Sequence, residues 1–414
     1  MNMLPKNHIW FSATFFWCII LNMKRILFFN YEYPPLGGGA ANATKHILLE
    51  YTKYDDIYVD FVTSAIDKNF VEKKIGNNVT MYRLPIGKDL HNLNYQTKKD
   101  LMTYTWKAYK FSKKLIKKNQ YDLTHSFFAV PCGVISQRIK HIFGIPYIVS
   151  LRGSDVPGYS ERFENIYVIL TPIIHSVWKD AEYVVTNSNG LTDLAKKSLS
   201  TQKFEQIFNG IDTNFYNKGK RTVKDRTKEF RILLASRLSR RKGFNYAIDA
   251  FVELFDFYPH IRMTIAGGEG NAMKDLQAQV KKYRLDGRVT FTGAYVKEES
   301  PKIYNDADVF VMPSLNEGMS NNLLEALASG LPVLMTPTGG AEELVRDGQN
   351  GFLIKMKDVD SIVEKLKILI ENPELCDAFG NASRKIAEDM SWAQAAEKYI
   401  HLYNKINEKK DKKN

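Results

Sequence analysis

Short apolar runs alternating with helix-length segments predict an α/β protein of two doubly wound parallel-sheet domains facing each other across a cleft. Ile26–Phe29, Ile232–Ala235 and Val309–Met312 are wholly apolar, as strands covered on both faces must be. At 414 residues the chain is too long for one ordinary core. Between Asn214 and Glu229 the composition turns from apolar to charged without low complexity, as a hinge does. The expected division is 23–206, 207–390 and a closing segment 391–414, preceded by an extension 1–22.

Hydrophobic content of 44% with 25% charged residues is that of a globular protein. The net charge of +12 points to an anionic partner: nucleic acid, a phosphate-rich ligand or a membrane surface. Nucleic acid is the least supported, because no zinc-finger, RNP-like or arginine-rich motif is present. Cys18, Cys132 and Cys376 stand far apart, in neither a metal pattern nor a disulfide framework, which suits a reducing cytoplasm. Ile9–Leu21 is an apolar run too short for a confident spanning helix. Met23-Lys-Arg followed by an apolar strand reads as a more natural start, so residues 1–22 are a dispensable extension or, alternatively, an anchor.

The first strand, Arg25–Asn30, runs into Tyr31-Glu-Tyr-Pro-Pro-Leu-Gly37-Gly38-Gly39 and a helix over 41–51. A glycine-rich turn there lets backbone amides approach phosphate, although a purely structural turn explains it equally well. Asn42 stands where a dinucleotide fingerprint needs its last glycine, which argues against an NAD-dependent dehydrogenase. Strands follow at 58–62 and 80–84, then a helix over 97–118. Its Leu101, Tyr104, Ala108, Phe111 and Leu115 share the core face. Lys107, Lys110, Lys113, Lys114 and Lys117 fall opposite, with Trp106, as a solvated face or a surface for anionic lipid. Two further strands end in polar turns, at His125 and at Arg152-Gly-Ser154-Asp155, where ligands of open α/β sheets bind.

In the second half, strand 230–236 leads into Arg237 and Lys242. Two fixed cations at a strand end would stabilise the charge that builds on a departing diphosphate. Arg240 and Arg241 read as surface. Strand 261–266 ends in Gly267-Gly268-Glu269-Gly270, a loop able to admit a base or ribose. After strand 309–312 come Glu317, the N-cap Ser320 and a helix to Ala328. The first-turn amides of that helix could hold an anion. Glu325 lies in Leu-Leu-Glu-Ala-Leu-Ala, so its carboxylate needs hydroxyl or cation partners. The bland alternative is a loop glutamate and a surface glutamate.

In order, the glycine-rich loop, Arg152-Gly-Ser-Asp155, Asn209-Gly-Ile-Asp212, Arg237 with Lys242, and Glu317 with Glu325 resemble the retaining glycosyltransferases of family 4, from Met23 to about Asn407. That resemblance implies two Rossmann-like domains in the GT-B arrangement, the last helix returning to the first. It implies a hexosyltransferase that moves sugar from a UDP- or GDP-linked donor to a glycan or lipid-linked acceptor, without metal or cofactor, in surface polysaccharide or glycolipid assembly. Glu317 would hold sugar hydroxyls, Glu325 the ribose, and the amides of Gly318, Met319, Ser320 and Asn321 the sugar and diphosphate. Arg237 and Lys242 would take the leaving diphosphate, with Gly38, Gly39, Gly268 and Glu269 around the donor. His125, Arg152, Ser154 and Asp155 would lie towards the acceptor, His125 among the catalytic residues; Phe127 departs from a second His found there in some members. A basic face through Lys107, Lys110, Lys114 and Lys117 would dock peripherally on the inner membrane surface. Rival readings are a nucleotide-sugar epimerase on the same fold and a non-catalytic binding subunit.

Overall fold

The computed structural model describes residues 23–88, 93, 96–159, 164–217, 225–317 and 319–411; the extension 1–22 and the expected site residue Gly318 lie outside them. The first sheet has eight strands. The chain runs β1 (Lys24–Phe29), α1 (Gly39–Tyr51), β2 (Ile57–Ala65), β3 (Val71–Ile75), β4 (Val79–Pro85), α2 (Lys98–Lys118) and β5 (Leu123–Phe127). It continues with α3 (Val134–Phe143), β6 (Tyr147–Ser150), α4 (Glu164–Asp180), β7 (Tyr183–Thr186), α5 (Asn189–Ser198) and β8 (Glu205–Gln206). The spatial order is β3-β4-β2-β1-β5-β6-β7-β8, all parallel except β3. Sequence reading misses β3 because Glu72, Lys73 and Lys74 are exposed along this edge strand, where charge discourages further pairing and no apolar period shows.

The second sheet has six parallel strands. Here β9 (Phe230–Ala235), α6 (Phe244–Phe255), β10 (Ile261–Ala266), α7 (Met273–Lys282), β11 (Val289–Gly293) and α8 (Ser300–Asn305) lead to β12 (Val309–Met312). Then come α9 (Asn321–Ala328), β13 (Val333–Met335), α10 (Ala341–Leu344), β14 (Gly351–Leu353), α11 (Val359–Glu371), α12 (Pro373–Glu388) and α13 (Trp392–Asp411). Its order is β11-β10-β9-β12-β13-β14. Both sheets are thus Rossmann-like and doubly wound.

The closing helix α13 leaves the second domain and packs against α1 of the first. Its Trp392, Tyr399, Leu402, Tyr403 and Ile406 join the first domain's core. Order persists past Asn407 to Asp411, and Lys409 sits over the Tyr183 ring at 4.9 Å, an attraction that helps hold the last turn. Buried Tyr403 is the main tie: its hydroxyl lies 2.7 Å from His125 Nδ1 and 2.7 Å from the Tyr51 hydroxyl. Phenylalanine at 403 would strand a buried polar group, so Tyr403→Phe should lower unfolding free energy by about 1–3 kcal/mol in a denaturant titration.

Candidate active site

Strand order reverses once in each sheet, between β1 and β5 and between β9 and β12. Loops leaving the carboxyl ends of these strands flank the crevice where open α/β sheets receive ligands. Three of them carry the expected donor residues: the loops after β1, after β9 and after β12.

The loops after β9 and β12 are joined by a buried ion pair. Lys242 is 6% exposed and Glu317 7%, and the lysine ammonium donates directly to Glu317 Oε1, which also accepts from the Ser314 hydroxyl at 2.9 Å. Burial disfavours the Glu317 carboxylate, yet Lys242, Arg241 and Ser314 outweigh it and hold the group below the usual carboxylate range. Gly243 makes the approach feasible, with φ at +65° and no room for a Cβ against the Pro313 carbonyl.

From the first domain, the glycine-rich loop approaches Arg237 and Asn321, which flank this wall. A side chain at Gly38 would begin 3.6 Å from Arg237 Nη2, and one at Gly39 3.2 Å from Asn321 Nδ2. Arg237, half-buried, acts electrostatically on both Lys242 and Glu32. Ser320 caps α9 by accepting from the Leu323 amide at 3.3 Å, and its hydroxyl faces Met312 Sδ. Met319 is buried with its sulfur 3.2 Å from the Asn209 amide. Asn321 accepts from Asn209 Nδ2 at 3.1 Å. Gly268 and exposed Glu269 lie further along the same edge, in a loop that receives the Leu238 amide at the Gly268 carbonyl, 3.1 Å away.

Glu325 has the partners that its apolar helix demands. Tyr304 donates to it at 2.8 Å, and Tyr216 and Lys297 also face it. Burial still lifts its pKa above the ordinary range. It opens on a small cavity at the domain junction, lined also by Asn42, His46, Asp212, Lys297 and Trp392.

The acceptor-side set corrects the sequence reading. His125 is fully buried, stacked on Phe28, with Nδ1 engaged by Tyr403 and Nε2 by Ser150 at 2.9 Å. Burial and nearby Arg152 keep it well below the usual imidazole range. Its place is a core polar network, away from the cleft surface where it was expected, with both ring nitrogens engaged by protein hydroxyls. Asp155, 3% exposed, accepts the amides of Ala129, Arg152 and Gly153 and so shapes the loop from within. Arg152 lies over the Phe127 ring, 3.5 Å from its centroid, and donates to Asn209 and Tyr399. Phe127 in place of a polar residue is the platform for that guanidinium. Ser154 contributes its carbonyl to the Tyr167 hydroxyl at 3.0 Å. Arg152 and His125 draw partners from 57 to 278 positions away, Asn209, Tyr399 and Tyr403, whereas Asp155 and Ser154 are held by residues within 26 positions.

Two family models match this chain in succession: one described as Glycosyltransferase Family 4 covers residues 37–215, and one described as Glycosyl transferases group 1 covers 217–386. The chain belongs to the family 4 glycosyltransferases. An uncharacterised glycosyltransferase of Methanocaldococcus jannaschii is 26% identical over 77% of this chain and 85% of its own. The structure of sucrose-phosphate synthase from Thermosynechococcus elongatus superposes with TM-score 0.80 at 19% identity, over 93% of this chain and 99% of that one. Anabaena HepE in complex with UDP-glucose does so with TM-score 0.68 at 19% identity, over 92% and 99%. The fold is therefore GT-B.

Three residues of this glycosyltransferase escaped the sequence reading. Asn209, within Asn209-Gly-Ile-Asp212, links Arg152 to Asn321 across the domains. Glu32, beside the glycine turn, gave no signal of its own. His46 accepts from Lys297 at 2.8 Å and stacks on Trp392, joining α1 to the second domain. On the outer face of α2, Lys107 departs from the expected stripe, because its ammonium turns inward to the Pro85 carbonyl at 2.6 Å. Lys110, Lys113, Lys114 and Lys117 are exposed. Among the described residues no helix is long and apolar enough to cross a membrane.

Burial, Lys297 and Lys45 drive the His46 pKa down to about 4. The unfolded chain, with an ordinary imidazole, binds the proton more readily, so the His46 contribution is present above pH 6.5 and lost as pH falls towards 4. The melting temperature should fall over that window, and less in His46→Gln, where an amide oxygen can still accept from Lys297. Equal pH slopes in the two proteins would remove His46 from the acid response.

Proposed function

We propose that the enzyme is a retaining, metal-independent hexosyltransferase that moves a sugar from a UDP- or GDP-linked donor to a glycan or lipid-linked acceptor in surface polysaccharide or glycolipid assembly. The observation that carries it is the buried Lys242–Glu317 pair beside Arg237, at the switch point of the second sheet and under the glycine-rich loop of the first. Lys242 and Arg237 supply positive charge where the sugar–phosphate bond breaks, the work a metal does elsewhere. HepE, bound to UDP-glucose on the same fold, supports a nucleotide-sugar donor. In the proposed step the acceptor oxygen attacks C1 on the face the diphosphate leaves. The C1–O phosphate bond breaks with its electron pair on the diphosphate, and the acceptor proton passes to a phosphate oxygen. Cations preorganised for the leaving group stabilise that transition state more than the ground state.

Purified protein screened against nucleotide sugars, with and without lipid-linked acceptors, should release nucleoside diphosphate only with the matching pair. Arg237→Gln should cut kcat/KM for that pair about 100-fold to 1000-fold while the melting temperature holds. Unchanged product formation would sink the donor site. Arg237 is the better probe, because removing either member of the buried pair leaves an uncompensated charge costing about 3–5 kcal/mol of stability.

The exposed face of α2 supports docking at an anionic bilayer. Lys110, Lys113, Lys114 and Lys117 accompany Met102 and Trp106, which are 74% and 60% exposed. Each lysine near such a surface contributes about 1 kcal/mol. Anionic vesicles at low salt should retain the protein, and joint replacement of Lys110, Lys114 and Lys117 by glutamine should release it. No retention at low salt would leave a merely solvated face.

A further inference from the structure

Glu32 occupies a place in the cleft that neither the donor signature nor the ion pair explains. It is half-buried where the loop after β1 turns, and its own amide is fixed by Asn30 Oδ1 at 3.0 Å. The chain folds over its carboxyl so tightly that a Cβ at Gly37, whose φ is +88°, would overlap Oε2. The next residue, Gly38, donates its amide to the carboxyl, and a Cβ there would lie 3.6 Å from Arg237 Nη2. Glu32 is thus built into the floor of the loop, on the side of the guanidinium at the proposed diphosphate position. The groups that face it are Arg237 across the cleft, Lys88 beyond β4, Tyr31 beside it and Cys132 from the segment after β5. Lys88 is already paired with Asp100 at 3.1 Å. Tyr31 and Cys132 are neutral, since burial raises both, Cys132 to beyond the physiological range.

We infer that Glu32 is a proton-linked positioning residue of the donor site: a carboxylate facing Arg237 when the cleft is empty, and a neutral carboxylic acid when a nucleotide-sugar diphosphate takes that guanidinium. The inference rests on the donor reading above. A diphosphate brings two negative charges to the same guanidinium, and like charge added beside a half-buried carboxyl disfavours its ionised form. Taking up one proton removes the conflict and turns the carboxyl from a competitor into a hydrogen-bond donor on the loop that covers the donor. In the empty cleft, burial has already moved Glu32 up to about 7, with the Gly38 amide and Arg237 opposing, so the linkage falls in the physiological window. Because the occupied site holds the proton more tightly than the empty one, donor affinity is highest below pH 7. It falls as pH rises above 7, with a limiting slope of tenfold per unit.

UDP-glucose and GDP-mannose have no group titrating near neutrality and serve as probes. Binding to wild type and Glu32→Gln is measured by calorimetry at pH 6 to 8.5, in two buffers of different ionisation enthalpy, so that protons taken up are counted. Wild type should take up a fraction of a proton that approaches one above pH 7. The glutamine variant should take up none, match wild type near pH 6, and bind increasingly tighter than wild type as pH rises. Binding with equal uptake in both proteins, or with none in wild type, overturns the inference and leaves the donor reading standing. Failure of either probe and of the rest of a nucleotide-sugar panel to bind overturns both together. An isotope-edited carboxyl titration of the empty wild type, showing no glutamate near pH 7 that Glu32→Gln removes, also overturns it.

Discussion

Lys242 and Glu317 have left water together, and each ion is tolerable there only because the other is present. That mutual dependence fixes the separation of the loops after β9 and β12, and with it the whole wall of the cleft on the second domain. A surface pair could drift through many rotamers; this one is confined by Ser314, by the turn at Gly243 and by the β12 carboxyl end. The charge does not balance locally. Arg237 and Arg241 add to Lys242, against the carboxylates of Glu317 and, when it is ionised, Glu32, so positive charge still prevails and the pocket attracts an anion. Preorganised positive charge in a poorly solvated crevice is what a leaving diphosphate requires, and its cost is met in folding instead of at the moment of reaction.

Much of this wall was legible in the sequence, for a definite reason. Strand ends and the Ser320 cap are local signals, and they place Arg237, Glu317 and Glu325 without knowledge of the fold. Even the partners of Glu325 could be inferred by type, since a carboxylate among leucines and alanines demands them; that they are Tyr304 and Tyr216 could not. The first domain was less legible. His125 and Asp155 look like functional residues because both are polar groups near strand ends, but both are buried, and for His125 the burying partners come from α13. Tyr403 and Tyr399 arrive from the far end of the chain to complete that network. Lys107 misled for a similar reason, as a helical wheel cannot show that the Pro85 carbonyl lies within its reach.

Closure of the cleft follows from the same long-range ties. Asn209 bonds Arg152 on one side and Asn321 on the other, so the turn between the domains reads the position of both the first-domain loop and the start of α9. His46 and Lys297 form a second link beside Glu325. Both links are polar, and each includes a residue that also lines the crevice. A ligand that changes the charge at Arg237, Asn321 or Glu325 therefore changes the interface as well.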